Sequence, residues 1–476
     1  RVTVAGEAEL AGVRASTRTW LEQDGALFVE LTLASAKAGT PATVESIDLE
    51  IPVRTSVAEF LNAYAHCGYS GYFIDWLPRS KDPAAKRESV WDPSLCGPSS
   101  VTAGDFIPQI WMGNEFRGVL WSADNDQGWT PADGRHAQEI VRAGDAAILV
   151  HHLISASTDL GQPRTIRFVI QATPIRPLGP GWRMTCADFR QSFLPWDAMG
   201  RNGANYSAMV NLPGPSNYAK SKEFASKWPG PKAAKPNLAM YFAPHTESSA
   251  IMTSVWGDRN YFGGEWEGGT YNKTLIDHTL WWVNKWIEEG GLQGLYHDQF
   301  SPHKIGSVSS GLAYFLGDGR VQPGFALTTR RQYCMRQHAL WLEKGIKPTR
   351  TLTHATNGGP LGSVGWVDTF LDGEDKLINK AMGGMDFADT WSGDRLRAGS
   401  ISYNLGVIFA WMRLIDTTGM TKEEMEHHRR IYAGHCFMHD VMNAYMVPFN
   451  TIDESVPPVS WGMNDDRVVF WPYWSS

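Results

Sequence analysis

The apolar pattern of this chain changes period once, near residue 175, and that change limits the fold more than any single motif does. Before it, short alternating segments follow one another at 14–21, 26–33, 44–53, 109–111, 118–122, 147–153 and 165–171. Polar turns separate them, among them Gln23-Asp24-Gly25, Asp124-Asn125-Asp126 and Gly144-Asp145. Closely spaced strands with such turns predict an antiparallel β-sandwich. After Pro174, helical periodicity at 272–289, 328–344 and 421–446 alternates with brief apolar runs at 238–242, 294–296 and 350–353. That alternation predicts a mainly parallel sheet wrapped by helices. Pro174, Pro177 and Pro180 form a linker between the two patterns. The expected architecture is therefore multidomain α+β, with an N-terminal β-sandwich over 1–175 and a (β/α)8-type (TIM) barrel over 176–476. There is no internal repeat and no low-complexity tract.

The sharpest site signal is Gly291-Leu-Gln-Gly-Leu-Tyr-His-Asp298-Gln299. In the helix before it, Ile276, Leu280, Val283 and Ile287 make one continuous face. Gly290 and Gly291 supply a helix stop. A short apolar run then ends on a carboxylate, and barrel active sites collect at the C-terminal ends of such strands. Tyr296, His297, Gln299, Phe300 and His303 crowd the same place. Asp298 reads equally as a loop cap, and its polar and aromatic flanks favour the functional reading.

Three further clusters follow the same logic. The segment from Trp256 to Gly269 follows the run that carries Tyr241, and it combines glycines with Glu265, Trp266 and Glu267. Glycines let a loop close on a ligand, and a carboxylate beside an indole suits a sugar. His354 and Asn357 end another run. In Val367-Asp-Thr-Phe-Leu-Asp372-Gly-Glu374-Asp375 four acids fall within nine positions, and a turn at Gly373 would project Asp372 and Glu374. Glycoside hydrolysis needs two carboxyl groups, one to protonate the leaving oxygen and one to attack carbon or activate water. Asp298 and Glu374 are the expected catalytic pair. His297, His354, Asn357, Glu265, Trp266, Trp256, Tyr241 and Gln299 are the expected substrate contacts.

Composition supports a carbohydrate partner. The chain has 21 Trp, and flat sugar faces stack on indoles. About two thirds of these Trp residues are assigned to the core, as Trp is highly buried on average. Trp282 and Trp286 are read as packing residues, and Trp256, Trp266 and Trp391 as cleft residues. A net charge of −7 without a basic block gives no reason to expect nucleic acid. No apolar run reaches the roughly 18 residues of a membrane span. Cys67, Cys96, Cys186, Cys334 and Cys436 lack CxxC spacing, so neither a zinc ribbon nor a redox pair is expected. A Cys67–Cys96 disulfide stays open. His435 and His439 lie four apart on one helix but lack the glutamate of a zinc motif, so they are read as structural. No cofactor and no metal are expected.

The linked segments Trp111-Met-Gly-Asn-Glu-Phe-Arg-Gly-Val-Leu-Trp121, Asp126-Gln-Gly-Trp129 and Phe168-Val-Ile-Gln-Ala-Thr-Pro174 resemble the sandwich of glycoside hydrolase family 123-like proteins. Gly294-Leu-Tyr-His-Asp298-Gln, His354-Ala-Thr-Asn357, Leu371-Asp-Gly-Glu374 and Phe470-Trp-Pro-Tyr-Trp474 look like the barrel that follows it. The resemblance implies a secreted or periplasmic bacterial enzyme that releases β-linked N-acetylgalactosamine. It also implies a substrate-assisted mechanism, with an Asp orienting the 2-acetamido group and the adjacent Glu as acid/base. This chain has Gln299 at that adjacent position, and an amide cannot protonate a leaving group. The acid is then expected from Glu374, with Glu265 second. Asp298 would be the nucleophile or the polarising carboxylate in a mechanism that is expected to be retaining. Two other readings remain: a glycan-binding protein that has lost its acid, and a polysaccharide lyase using His297 or Tyr296. The strand-like 468–474 run closes the sequence, and further β structure would follow it in the resembling proteins.

Overall fold

The protein is described by a computed structural model. The described residues are 1–64, 72–82, 84–96, 106–180, 182–188, 205–210, 239–242, 273–290, 294–297, 300, 304–306, 308, 311–346, 351–354, 361–373, 389, 391–412, 418–445 and 467–474.

The first part is two facing antiparallel sheets. Strands β1 (Val2–Leu10), β2 (Val13–Leu21) and β3 (Ala26–Ser35) open the chain. They are followed by β4 (Thr43–Val44), β5 (Ile47–Arg54), β6 (Phe60–Tyr64), β7 (Tyr72–Trp76) and β8 (Glu88–Trp91). Then come β9 (Gln109–Gly113), β10 (Gly118–Ser122), β11 (Gln138–Ala143), β12 (Ala146–Ile154), β13 (Thr158–Asp159) and β14 (Arg164–Thr173). The larger sheet runs β1-β2-β3-β14-β10-β9-β6-β7, the smaller β5-β12-β11-β8, and β4 pairs with β13. Every predicted strand of this half has a counterpart, displaced by a few residues at its ends. Strands β1, β6, β7, β8, β11 and β13 are additions to the sequence reading.

Strands β6 and β9 of the larger sheet are buried at every position, covered on both faces. In β9, Ile110 and Met112 face the sandwich core, while Trp111 belongs to a second core shared with the barrel helices. The same division separates Leu61 from Phe60 in β6 and Trp121 from Leu120 in β10. The larger sheet is therefore a wall between the smaller sheet and the barrel.

The second part closes eight parallel strands into a barrel. In order these are β15 (Thr185–Asp188), β16 (Asn205–Val210), β17 (Ala239–Phe242) and β18 (Gly294–His297). Two small hairpins intervene, from β19 (Lys304–Ile305), β20 (Tyr314–Phe315), β21 (Val321–Gln322) and β22 (Gly324–Phe325). The barrel resumes with β23 (Thr351–His354), β24 (Thr369–Asp372), β25 (Ile408–Met412) and β26 (Met442–Tyr445). The described helices are α1 (Lys273–Gly290), α2 (Leu327–Glu343), α3 (Gly393–Gly399), α4 (Ser402–Leu405) and α5 (Lys422–Met438).

Two expectations change here. The 421–446 helix starts on a capping box between Thr421 and Glu424 but stops at Met438, and 442–445 is the last barrel strand. Asp440 turns the chain with a left-handed φ of 54°, and its carboxylate is held from far away. Arg183, just before β15, donates from Nε to Asp440 Oδ1 at 2.9 Å and from Nη2 to Oδ2 at 2.8 Å. The Tyr403 hydroxyl joins the same carboxylate. This pair ties the entrance of the first strand to the entrance of the last, beside the β15–β26 backbone pairing that closes the barrel. The 468–474 run, expected as a strand, forms no strand among the described residues. The Cys67–Cys96 pairing lies partly outside the described residues, with Cys96 itself buried.

Asp440 has a side chain with no exposure, and removing one partner of such a pair leaves an uncompensated buried charge. Asp440→Asn keeps a residue that tolerates the left-handed turn and deletes only the charge. It should cost about 3–5 kcal/mol, read as a lower urea midpoint by near-ultraviolet circular dichroism. An unchanged midpoint would show that the barrel closes without this pin.

Candidate active site

Several barrel strands end on a polar residue, and these C-terminal ends define the barrel's rim. Their last residues include Asp188, His297, His354, Asp372 and Tyr445. Register places Asp188 beside Ala208 and Tyr445, His297 beside Thr353, His354 beside Leu371, and Asp372 beside Trp411. Asp188 was missed in the sequence, although Thr185-Cys-Ala-Asp188 repeats the short-run-then-acid signal of the Asp298 segment.

Asp298 immediately follows β18, and Glu374 stands two positions after the end of β24; both lie outside the described residues. So do Asn357, Glu265, Trp266, Trp256 and Gln299. Tyr241 sits in β17, in register with Met209 and Gly294, and its side chain is outside the description, as are those of Trp282 and Trp286.

His297 is not a rim ligand. It is buried, and its Nε2–H donates to Gln337 Oε1 of α2 at 3.0 Å. Its ring meets Tyr333 edge-on at 5.2 Å. These contacts put His297 between strand and helix, and burial drops its pKa to about 4. His354 is buried at the end of β23, and its carbonyl accepts the Phe300 N–H at 2.6 Å.

Asp372 is the described acid best placed on the rim. It is buried, and its Oδ1 accepts the Gly373 N–H at 2.6 Å. Gly373 has φ 105°, a turn conformation that favours glycine. The sandwich reaches this corner of the barrel through β7. Tyr72 has its phenol pKa raised, chiefly by burial and also by the Asp372 carboxylate, against the opposing pull of Arg395. Arg395 in turn lies 3.6 Å from Asp75.

Trp391 was expected in the cleft; it is instead 1% exposed, with its ring 5.4 Å from Trp411. The polar residues after it, Ser392 to Arg395, begin α3 above it and gave the misleading signal. His435 and His439 are structural. His435 Nε2–H donates to the Trp391 carbonyl at 3.0 Å, His439 Nδ1–H to the His435 carbonyl at 2.7 Å, and Tyr473 O–H to His439 Nε2 at 3.1 Å. Among the described residues no group of three side chains could hold a metal ion, and no helix is long and apolar enough to cross a membrane.

No protein-family model matches the chain, and no curated protein matches it in sequence. Similar solved structures include an α-galactosidase from Lactobacillus brevis, at 8% identity and TM-score 0.38, covering 92% of this chain and 67% of that one. The glucose complex of a GH31 dextranase from Flavobacterium johnsoniae is 9% identical with TM-score 0.42, covering 95% and 59%. An α-N-acetylgalactosaminidase from Bifidobacterium bifidum is 10% identical with TM-score 0.37, covering 94% and 80%. The structural neighbours are glycoside hydrolases. This chain spans 59% of the dextranase's length, and these likenesses assign it to no family.

The placement of His297 has a thermodynamic consequence. In the unfolded chain its imidazole protonates near its ordinary value of 6.5, whereas the folded one stays neutral to about 4. Acid therefore favours unfolding, and stability is lost as pH falls from 6.5 toward 4. The contribution is about 3 kcal/mol by pH 4. The His297→Gln variant should show a smaller fall in urea midpoint between pH 7 and pH 4.5 than the parent chain. Equal falls would mean that His297 is already charged in the folded protein.

Proposed function

We propose that this chain is a glycosidase that hydrolyses glycosidic bonds of an oligo- or polysaccharide at the mouth of a (β/α)8-type barrel. One observation carries the reading: two acid-bearing segments leave the C-terminal ends of β18 and β24, the fourth and sixth strands of a closed parallel barrel. Adjacent strands lie about 4.8 Å apart, so these two stand about 10 Å apart. Retention uses two carboxyl groups roughly 5–5.5 Å apart, and inversion uses roughly 6.5–9.5 Å.

In this reading Asp298 is the nucleophile or polarising carboxylate, and Glu374 is the general acid/base. The mechanism is then retaining. Asp372, two residues earlier and at the very end of β24, is the rival acid. His354, Asn357, Tyr241, Gln299 and Glu265 bind hydroxyls, and Trp256 and Trp266 offer stacking faces. His297 is left out, because its ring is committed to α2. The division into a sandwich over 1–175 and a barrel over 176–476, the likeness to family 123 and a secreted or periplasmic location belong to the same proposal. Gln299 favours one alternative, a glycan-binding protein without turnover.

Product analysis on a glycan panel that includes N-acetylgalactosaminides tests this. The parent chain should release new reducing ends, and Asp298→Asn should abolish them. Glu374→Gln should lower kcat by about 10²–10⁴-fold. If Glu374→Gln keeps full activity and Asp372→Asn loses it, the acid is Asp372. Saturable binding without turnover on every glycan would overturn the enzyme reading.

A further inference from the structure

Three of the four edges of the two main sheets are protected. Strand β7 packs under α3 of the barrel, β5 carries Pro52, and β8 is only four residues long. Strand β1 has none of these devices. It runs for nine residues, is exposed at every position and, among the described residues, pairs only with β2. Edge strands of this length are usually blunted, because their free N–H and C=O groups template further pairing.

The register shows which groups are free. Ala11 and Gly12 form the two-residue β1–β2 turn, with φ of 50° and 80°. Leu10 and Val13 flank it as partners. In such a hairpin the flanking pair exchanges hydrogen bonds, and pairs alternate from there. The even residues of β1 thus bond to β2, while Thr3, Ala5, Glu7 and Glu9 present their backbone groups outward. Side chains alternate as well. Val2, Val4, Ala8 and Leu10 share a face with Val13 and Ala15, which pack on the sandwich core. Val2, Val4 and Leu10 are 65%, 61% and 81% exposed, an apolar stripe beyond the reach of the smaller sheet.

We propose that β1 is a self-association edge, pairing antiparallel with β1 of a second copy about a twofold axis at Gly6. This register sets Thr3 opposite Glu9 and Ala5 opposite Glu7, so all four outward residues exchange hydrogen bonds. It also joins Val2 to Leu10 and Val4 to Ala8 across the axis. No glutamate faces a glutamate, and Glu7 already has Arg14 at 3.4 Å. Centring the pair on Glu7 would oppose two like charges, which is destabilising. Gly6 at the axis permits the close approach of a non-hydrogen-bonded pair. One strand edge buries little surface, so the dimer is weak.

Sedimentation equilibrium on the full chain tests this, with Ala5→Lys and Ala5→Glu as paired variants. Both change one exposed side chain without touching the β1–β2 hydrogen bonds. The parent should show a mass that rises toward the dimer with concentration. Ala5→Lys faces Glu7 of the other copy twice and should tighten the dimer by about 2- to 30-fold in Kd. Ala5→Glu should weaken it by a similar factor. A monomer at all concentrations, or a loosening by both variants, would overturn the proposal.

Discussion

The guanidinium of Arg397 is the interaction on which the arrangement of the two halves depends. It sits in α3, nearly buried, and is ion-paired to Glu115 in the β9–β10 turn and to Asp394. Its faces are covered by Phe60 and Trp76 of the sandwich at 4.9 Å each and by Trp474 at 4.8 Å. A buried ion pair adds little net stability once desolvation is counted. It does penalise every arrangement in which the charges miss one another. Arg331 of α2 repeats the device at the other end of the seam. It pairs with Glu22 and Asp24 at 2.7 Å each, while Trp366 Nε1–H donates to the same Asp24 at 2.9 Å. Two arginines of the barrel locked into acids of the sandwich leave it no freedom to slide. That fixed seating brings β7 and Tyr72 to the rim beside Asp372.

The sandwich also completes the barrel's own elements. Helix α2 begins after Ala326, which offers no capping side chain. Its first N–H groups, on Leu327 and Thr328, are accepted instead by Asp124 Oδ1 at 2.9 Å each. Asn125 Nδ2 donates to the Leu312 carbonyl at 2.7 Å. Burial pushes Asp124 up to about 6 although these hydrogen bonds favour its charged form. A helix start that depends on a residue some two hundred positions earlier is invisible to local sequence reading. The helix itself was legible because its length and periodicity are local.

The same contrast runs through the rest of the chain. Strands with one solvated face, such as β2 and β14, announced themselves by alternation. Strand β6 did not: the buried Asn62 interrupts its short apolar run, Phe60–Tyr64. The end of α5 was overrun because the partners of Asp440 at the turn, Arg183 and Tyr403, lie far upstream. His297 was read as a ligand because it adjoins Asp298, yet its ring is committed to Gln337 and Tyr333 of α2. Trp391 was read as a cleft residue from its polar neighbours, which lie on the outer side of α3.

The acid cluster around residue 370 shows what the barrel adds to the sequence. Read linearly, Asp368 and Asp372 belong to one acidic patch. The four-residue strand β24 separates them along its length by about 13 Å, at about 3.3 Å per residue. Asp368 stands at the entrance, where its Oδ2 accepts the Thr351 N–H at 2.7 Å and its Oδ1 lies 3.6 Å from Arg176. Asp440 is at the same end of the barrel, bound to Arg183. Charges at the strand entrances are thus engaged in holding strands together. Asp188 and Asp372 lie at the opposite end, where barrel enzymes place their chemistry. Which acids can react and which are structural is therefore set by the direction of the strands, and acid density along the sequence does not distinguish them.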